Sequence, residues 1–189
     1  METVTLAKDK VDLAVEDEAV LVEAARCDTT AFTILYRRYV TPVYRYLYKW
    51  VGSPVEAEDL TSQVFIEMLE GLVHYREQGH FAAWLFTIAR RKAIAAYRRQ
   101  HLNLPLDKAE EIPGSEEDPL ERVVQGEQRE RVAALFVGLD EDQRELLRLR
   151  FTAELGYAEI GALLGRGEAA VKMAIYRLLH QMYEKWEEK

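Results

Sequence analysis

The chain has 189 residues, 49% of them hydrophobic, and a net charge of −8. That length suits one medium domain or two small ones, the apolar share argues against wholesale disorder, and no apolar run approaches the roughly 20 residues of a membrane-spanning helix. Cys27 is the only cysteine, and His74, His80, His101 and His180 are scattered, so an internal disulfide, a thiolate metal cluster and an i, i+4 histidine pair are all excluded, and no metal or other cofactor is expected.

Met1 to Val20 alternates acids with short apolar residues and lacks the basic start and apolar stretch of a signal peptide, so a cytoplasmic protein is expected. Residues 1–27 read as an N-terminal extension with a first helix. Asp28 and Thr29 can cap a second helix carrying Phe32, Leu35, Tyr36, Tyr39, Val43, Tyr46 and Leu47. Pro42 predicts a kink or break within it, and Gly52 its end. Ser53-Pro54-Val55-Glu56 is a strong helix start: serine caps, proline takes the first helical position, and glutamate stands where a capping box needs it. The helix behind it carries Leu60, Val64, Phe65, Met68 and Leu72. Tyr75 to His80 is polar, contains Gly79 and reads as a loop. Phe81 opens a long helix to about Gln100, with Trp84, Leu85, Ile88, Ala95 and Ala96 on one arc and Arg90, Arg91, Tyr97 and Arg98 on the opposite face.

Leu102 to Ser115 holds two prolines, a glycine and many acids, the composition of a linker. Asp118-Pro119-Leu120-Glu121 starts another helix, running to about Gly138. Asp140 caps the next, with Leu146, Leu147, Leu149 and Phe151 expected inward and Gly156 ending it. Tyr157 to Leu164 is a short helix, Gly165-Arg166-Gly167 a turn, and Glu168 begins the last helix. No strand signal and no internal repeat survive this reading. The expected fold is all-α: a helical unit over 28–101, a flexible acidic linker over 102–117, and a second helical unit over 118–189.

The charge distribution says more than its sum. A net acidic chain is a poor fit to wholesale DNA coating. Yet Arg90, Arg91, Lys92, Arg98 and Arg99 form a stretch without an intervening acid, and Asp107, Glu110, Glu111, Glu116, Glu117 and Asp118 an acidic stretch soon after. Arginines and an aromatic on one helix face suit a platform for single-stranded nucleic acid, with cations along the backbone and rings on bases. A solvated basic face is the plainer alternative. Tyr157 to Lys172 has the pattern of a helix-turn-helix, in which Ile160, Leu163 and Leu164 pack on Val171 and Ile175 across a glycine-containing turn. An ordinary helical hairpin has the same spacing. In the DNA-binding reading, Glu168 accepts from a cytosine amino group, Lys172 serves a guanine or a phosphate, and Arg166 and Arg177 serve phosphates. Ala169, Ala170, Met173 and Ala174 offer little polar readout, and the last helix ends in acids, so weak autonomous DNA binding is expected. Tyr36, Tyr39, Tyr44, Tyr46, Tyr48 and Trp50 read as core or helix contacts. Glu56, Glu58 and Asp59 stand at a helix start, where acids favour the dipole. With no Gly-rich phosphate loop and no nucleophile beside a base, the chain does not read as an enzyme.

These two sites, in this order and joined by a linker, resemble the small, extracytoplasmic-function sigma factors of the sigma-70 family. The likeness runs from Ala31 to Gln100 and from Leu139 to about Trp186. Ala57-Glu58-Asp59-Leu60-Thr61-Ser62-Gln63-Val64-Phe65-Ile66 is similar to the family's polymerase-docking helix. Phe81-Ala82-Ala83-Trp84-Leu85-Phe86-Thr87-Ile88-Ala89-Arg90 is similar to its −10 promoter helix. Leu139 to Phe151 and Tyr157 to Gly165 are similar to its −35 binding domain. The resemblance implies that Asp59, Leu60, Thr61, Gln63, Val64 and Phe65 lie at or near the surface that docks on the clamp helices of core RNA polymerase. It implies that the loop with Tyr75, Arg76 and His80 captures a base flipped from the non-template strand. Trp84, Arg90, Arg91, Tyr97 and Arg98 would hold the melted −10 strand, and Arg166, Glu168, Ala169, Lys172, Met173, Tyr176 and Arg177 would read the −35 element as duplex. The linker would thread the polymerase channels. An anti-sigma factor, in this family often membrane-tethered, is the further partner implied, and a monomer is expected in its absence. Arg91 and Ala95 stand where the family often has asparagine and aspartate, and Met173 and Ala174 where it has serine and arginine, which implies an unusual promoter preference. Two other readings stay open: a stand-alone helix-turn-helix regulator, and a sigma-like protein that sequesters a regulator.

Overall fold

The computed structural model describes residues 18–76, 79–102, 132, 134–136 and 138–187. The extension before Glu18, the acidic linker beyond Leu102 and the helix start at Asp118 lie outside the described residues. The chain divides into two compact units, Met1–Leu104 and Pro105–Lys189. The described residues are helical or in turns and bends, without a strand.

In the first unit, α1 (Glu18–Ala24) leads into α2 (Thr29–Val51), α3 (Pro54–Gly71) and α4 (Phe81–Leu102). The caps are those the residues dictate. Asp28 accepts from the Thr30 N–H at 2.8 Å, and Ser53 from the Glu56 N–H at 3.4 Å with Pro54 opening the helix. Gly52 closes α2 in the left-handed region, with φ 68°, and its N–H reaches the Tyr48 carbonyl. Pro42 does not break α2: the helix is continuous across it. A proline removes one backbone hydrogen bond, but Leu35, Val43, Tyr46 and Leu47 are fully buried on either side, and packing of that face outweighs the lost bond.

Helices α2, α3 and α4 pack on one another pairwise, and α1 lies across α2 and α4. Their shared core is built from Leu35, Tyr46, Leu47, Leu60, Val64, Met68, Phe81, Leu85 and Phe86. Tyr46 meets Phe86 edge-on at 5.5 Å between ring centres. Glu18 ties α1 down by accepting from the Tyr39 hydroxyl and pairing with Arg38 at 3.5 Å. Arg26 donates to the Tyr75 carbonyl at 2.5 Å, joining the α1–α2 turn to the turn after α3.

In the second unit, residues 132 and 134–136 are helical. They precede α5 (Glu141–Leu147), a π turn (Arg148–Thr152), α6 (Tyr157–Leu164) and α7 (Glu168–Glu187). Asp140 makes a full capping box: it accepts from the Gln143 N–H at 2.8 Å, and the Gln143 side chain accepts from the Asp140 N–H at 3.0 Å. The buried Glu145 is neutralised by Arg148 at 3.1 Å, which also pairs with Glu141. Phe151 is not inward as the periodicity predicted; it is 57% exposed. The cause is the π turn. The Ala153 N–H bonds the Arg148 carbonyl at 2.9 Å, five residues back, and one extra residue in the turn rotates Phe151 off the Leu146 and Leu147 face. Leu149, Ala153 and Leu155 fill the core there instead.

Helices α6 and α7 form the hairpin expected of a helix-turn-helix, with Ile160, Val171 and Ile175 buried between them and Leu163 and Leu164 at the margin. Gly165 turns the chain at φ 66°. Gly161 sets the approach: a Cβ there would stand 2.6 Å from the Arg166 carbonyl oxygen, and the Arg166 N–H already bonds the Gly161 carbonyl at 2.9 Å. The obstacle is backbone, so the turn itself has to move to admit a methyl group. Gly161→Ala is therefore expected to lower stability in urea unfolding by about 1–3 kcal/mol. Phe151→Ser, at an exposed position, should stay within about 0.5 kcal/mol of the parent.

Candidate nucleic-acid interface

Helix α4 carries three faces. One is core: Phe81, Ala82, Leu85, Phe86, Ala89, Ala93 and Ala96 are buried. A second holds Trp84, Thr87, Ile88 and Arg91, which line one pocket. Ala95 and Arg98 follow on the same side and are exposed. This corrects the two-arc expectation. Trp84 and Arg91 are seven residues apart, about two helical turns, so they share a side rather than oppose each other, and Ala95 faces out with them. Arg90 and Tyr97, also seven apart, lie roughly 120° round the helix on a third face. There Tyr97 is half-buried, edge-on against Trp50 at 5.6 Å. The four residues expected to cluster are thus two pairs: Arg91 with Arg98 on the side of the helix that carries Trp84, and Arg90 with Tyr97 on the flank.

The pocket lies between the end of α3 and the start of α4 and has a volume of about 460 Å³. Glu67, Glu70, Gly71, His74 and Tyr75 form one side; Trp84, Thr87, Ile88 and Arg91 form the other. Gly71 lets the indole lie against α3, since a Cβ there would come within 2.9 Å of Trp84 Cζ2. Tyr75 was expected in an exposed base-capturing loop. It is 8% exposed, 4.8 Å from the Trp84 ring and 5.5 Å from Phe81, and so forms a wall of the pocket. Arg76 is exposed, His80 half-buried, and Gly79 turns the chain at φ 75°. Residues 77–78 of that loop lie outside the described residues.

One carboxylate organises the charge here. Glu67 pairs through Oε1 with Arg91 and through Oε2 with Lys92 at 3.2 Å. Partial burial alone would raise its pKa, but the hydrogen bonds from Arg91 and Lys92 and their positive charge hold the carboxyl below the usual 4.5. Exposed pairs of this kind contribute only about 0–1 kcal/mol to folding.

On α3 the expected docking residues divide. Asp59 and Gln63 are exposed, with Gln63 Nε2 donating to Asp59 at 2.7 Å. Leu60, Thr61, Val64 and Phe65 are not surface groups: all four are buried, and Thr61 donates to the Ala57 carbonyl at 2.6 Å. Their side chains belong to the core and set the helix's position. The outward face carries a stripe that sequence reasoning passed over, Ile66, Leu69 and Val73, at 58%, 51% and 65% exposure. Its signal was present: apolar residues at i, i+3 and i+7 beside the core row of Leu60, Val64, Met68 and Leu72.

On α7, Glu168, Ala169, Lys172, Met173, Tyr176 and Arg177 are all exposed, as expected of a helix presented to a groove. Lys172 sits over the Tyr176 ring at 6.0 Å. Arg166, in the turn before the helix, is paired with Asp142 of α5 at 2.6 Å. Arg150 lies over the Tyr157 ring at 4.7 Å and donates to the Leu155 carbonyl at 2.8 Å, which fixes the entry to α6.

Two family models match the chain: Sigma-70 region 2 over residues 35–102 and Sigma-70, region 4 over residues 129–182. The chain is 33% identical over 132 residues to the ECF RNA polymerase sigma factor ShbA of Streptomyces griseus, covering 66% of this chain and 69% of that one. The chain belongs to the sigma-70 family, as a sigma factor of the extracytoplasmic-function (ECF) type. The ECF sigma factor BldN of Streptomyces coelicolor is 32% identical over 166 residues, covering 86% of this chain but 63% of its own length. The fold is similar to that in the structure of CnrH in complex with the cytosolic domain of CnrY, with a TM-score of 0.63 at 21% identity, covering 90% of this chain and 97% of that one. Region 2 of the family thus takes in most of α2 together with α3 and α4, and region 4 takes in α5 to most of α7.

Because the Glu67 pKa is depressed, its contribution to stability is present above the unfolded value near 4.5 and is lost as pH falls through the lower folded value. In carboxyl-carbon NMR titrations, Arg91→Ala is expected to move the Glu67 midpoint up towards 4.5, only partly, because Lys92 remains.

Proposed function

We infer that this protein is a transcription initiation factor: it binds core RNA polymerase, directs it to particular promoters and helps melt the −10 element. The observation that carries this is the presence, in one chain and in order, of sigma region 2 and sigma region 4. It is a transcription factor and not an enzyme. The chemistry of RNA synthesis stays with the polymerase, and this chain selects where it starts.

In this reading the exposed part of α3, with Asp59, Gln63, Ile66 and Leu69, and Val73 in the turn after it, docks on polymerase. The Trp84, Arg91 and Arg98 face takes the melted −10 strand, with Arg90 and Tyr97 as flanking contacts. The pocket walled by Tyr75 and Trp84 suits an unstacked base, with Arg76 and His80 at its approach. Unstacking costs a few kcal/mol, and a shaped pocket offsets that only for a base that fits. Arg166, Glu168, Ala169, Lys172, Met173, Tyr176 and Arg177 present α7 to the −35 duplex. Few of these are strong base readers, so shape and phosphate contacts carry much of the −35 term. Polymerase compensates: once docked, it turns DNA contact into a linked event at high effective concentration. An anti-sigma factor binding the exposed apolar face of α3 would compete with polymerase, and the setting proposed for both events is the cytoplasm.

Two sets of variants test the assignment. Ile66→Glu should weaken core polymerase binding about tenfold, since a charge would be buried in the contact, and leave free-chain stability unchanged. Arg90→Ala with Arg91→Ala should impair promoter opening, read by permanganate reactivity of unpaired thymines, far more than it impairs polymerase binding. Equal loss of both activities would contradict the assignment of α4. Full polymerase binding by Ile66→Glu would contradict that of α3.

A further inference from the structure

We propose that Glu67 is a built-in competitor for the promoter backbone, a carboxylate that occupies in the free chain the cations a DNA phosphate must later take. The proposal rests on α4 being the nucleic-acid face. Glu67 projects from α3, and its two oxygens are divided between two consecutive cations of α4, Oε1 with Arg91 and Oε2 with Lys92. A phosphodiester presents its two non-bridging oxygens in the same way, so the carboxylate stands in for it. The side-chain exposures fit such an exchange: Arg91 is 67% exposed and open to an incoming strand, while Glu67 at 33% and Lys92 at 21% are held close to the surface. Beside them Trp84 offers a ring for stacking.

The electrostatic effect is direct. With the carboxylate in place, half of the positive charge of this pair of cations is neutralised at the point where a strand would enter. DNA gains these contacts only by displacing Glu67, so the free chain holds non-specific DNA weakly. A strand delivered by polymerase at high effective concentration can make the exchange. The second unit repeats the arrangement in a looser form, with Asp142 of α5 pairing at 2.6 Å with Arg166, just before the helix proposed to read the −35 element. There the carboxylate is the more exposed partner, at 75% against 33% for Glu67, and is more readily displaced.

The test measures binding of the full chain to a fluorescein-labelled single-stranded oligodeoxynucleotide by anisotropy, at several salt concentrations. Glu67→Gln removes the charge and keeps the side chain's volume; Glu67→Ala is measured beside it, and urea midpoints establish that both fold. Glu70→Gln is the control. Glu70 lines the same pocket, is exposed and, among the described residues, has no ion pair. Glu67→Gln should tighten binding roughly fivefold and steepen the slope of log K against log salt by about 0.7 to 1.4, one or two added phosphate contacts on a single strand. Glu70→Gln should change affinity less than about twofold without altering the slope, as removal of an unpaired charge would. In an Arg91→Ala background, the gain from Glu67→Gln should fall by at least half. Equal gains from Glu67→Gln and Glu70→Gln would reduce the effect to net charge and overturn the proposal. So would no gain from Glu67→Gln while Arg91→Ala alone weakens binding, and that result would leave α4 as the DNA face. No effect of Arg91→Ala would overturn both readings.

Discussion

Phe81 is the point on which the first unit turns. It is fully buried at the first position of α4, with Tyr39, Tyr75 and Trp84 ring centres 5.7, 5.5 and 5.6 Å away. One ring therefore fixes α2, the turn after α3 and the start of α4 together. Each such aromatic pair adds about 0.5–1.5 kcal/mol beyond the area it buries. The functional geometry follows from that clamp. It holds Trp84 against Gly71 and sets the rotation of α4, and so turns the side that Trp84 shares with Arg91 towards the end of α3. A small rotation of α4 would carry ring and cations together away from Glu67 and Gly71.

How far the sequence revealed this depended on the kind of constraint. Local rules read well. Asp28, Ser53, Pro54, Gly52, Asp140 and Gly165 each act through one or two backbone bonds, and each helix boundary they predict appears in the structure within a residue or so. Tertiary constraints read less well. Pro42 looked like a break because propensity is local, whereas the packing that overrides it is not. Phe151 looked buried because a 3.6-residue period was extended through a π turn that no local signal announced. Leu60, Val64 and Phe65 were placed on an apolar row, and their side chains are buried in the core. The exposed apolar row, Ile66, Leu69 and Val73, was hidden by its similarity to that core row. On α4 both faces carry apolar residues, so the core arc and the Trp84 arc could not be told apart until α3 was in place.

In both units, cations on the faces proposed to meet DNA are partly neutralised from within. Arg91 and Lys92 answer to Glu67, and Arg166 to Asp142. Such exposed pairs stabilise folding little, and their larger effect is on the field the surface presents. An acidic chain of net charge −8 with local basic faces is thereby suited to act on DNA through a partner rather than alone. This is consistent with a sigma factor, whose promoter contacts lie in separate regions of the chain.

The central claim is that these two regions work as one promoter-selecting factor on polymerase. The most direct measurement is in vitro transcription by purified bacterial core polymerase, with and without this protein, from a library randomised around the −35 and −10 positions. The account predicts initiation that depends on the protein and enriches a defined subset of sequences at both positions. Stable binding to core polymerase without enrichment at either position would contradict it.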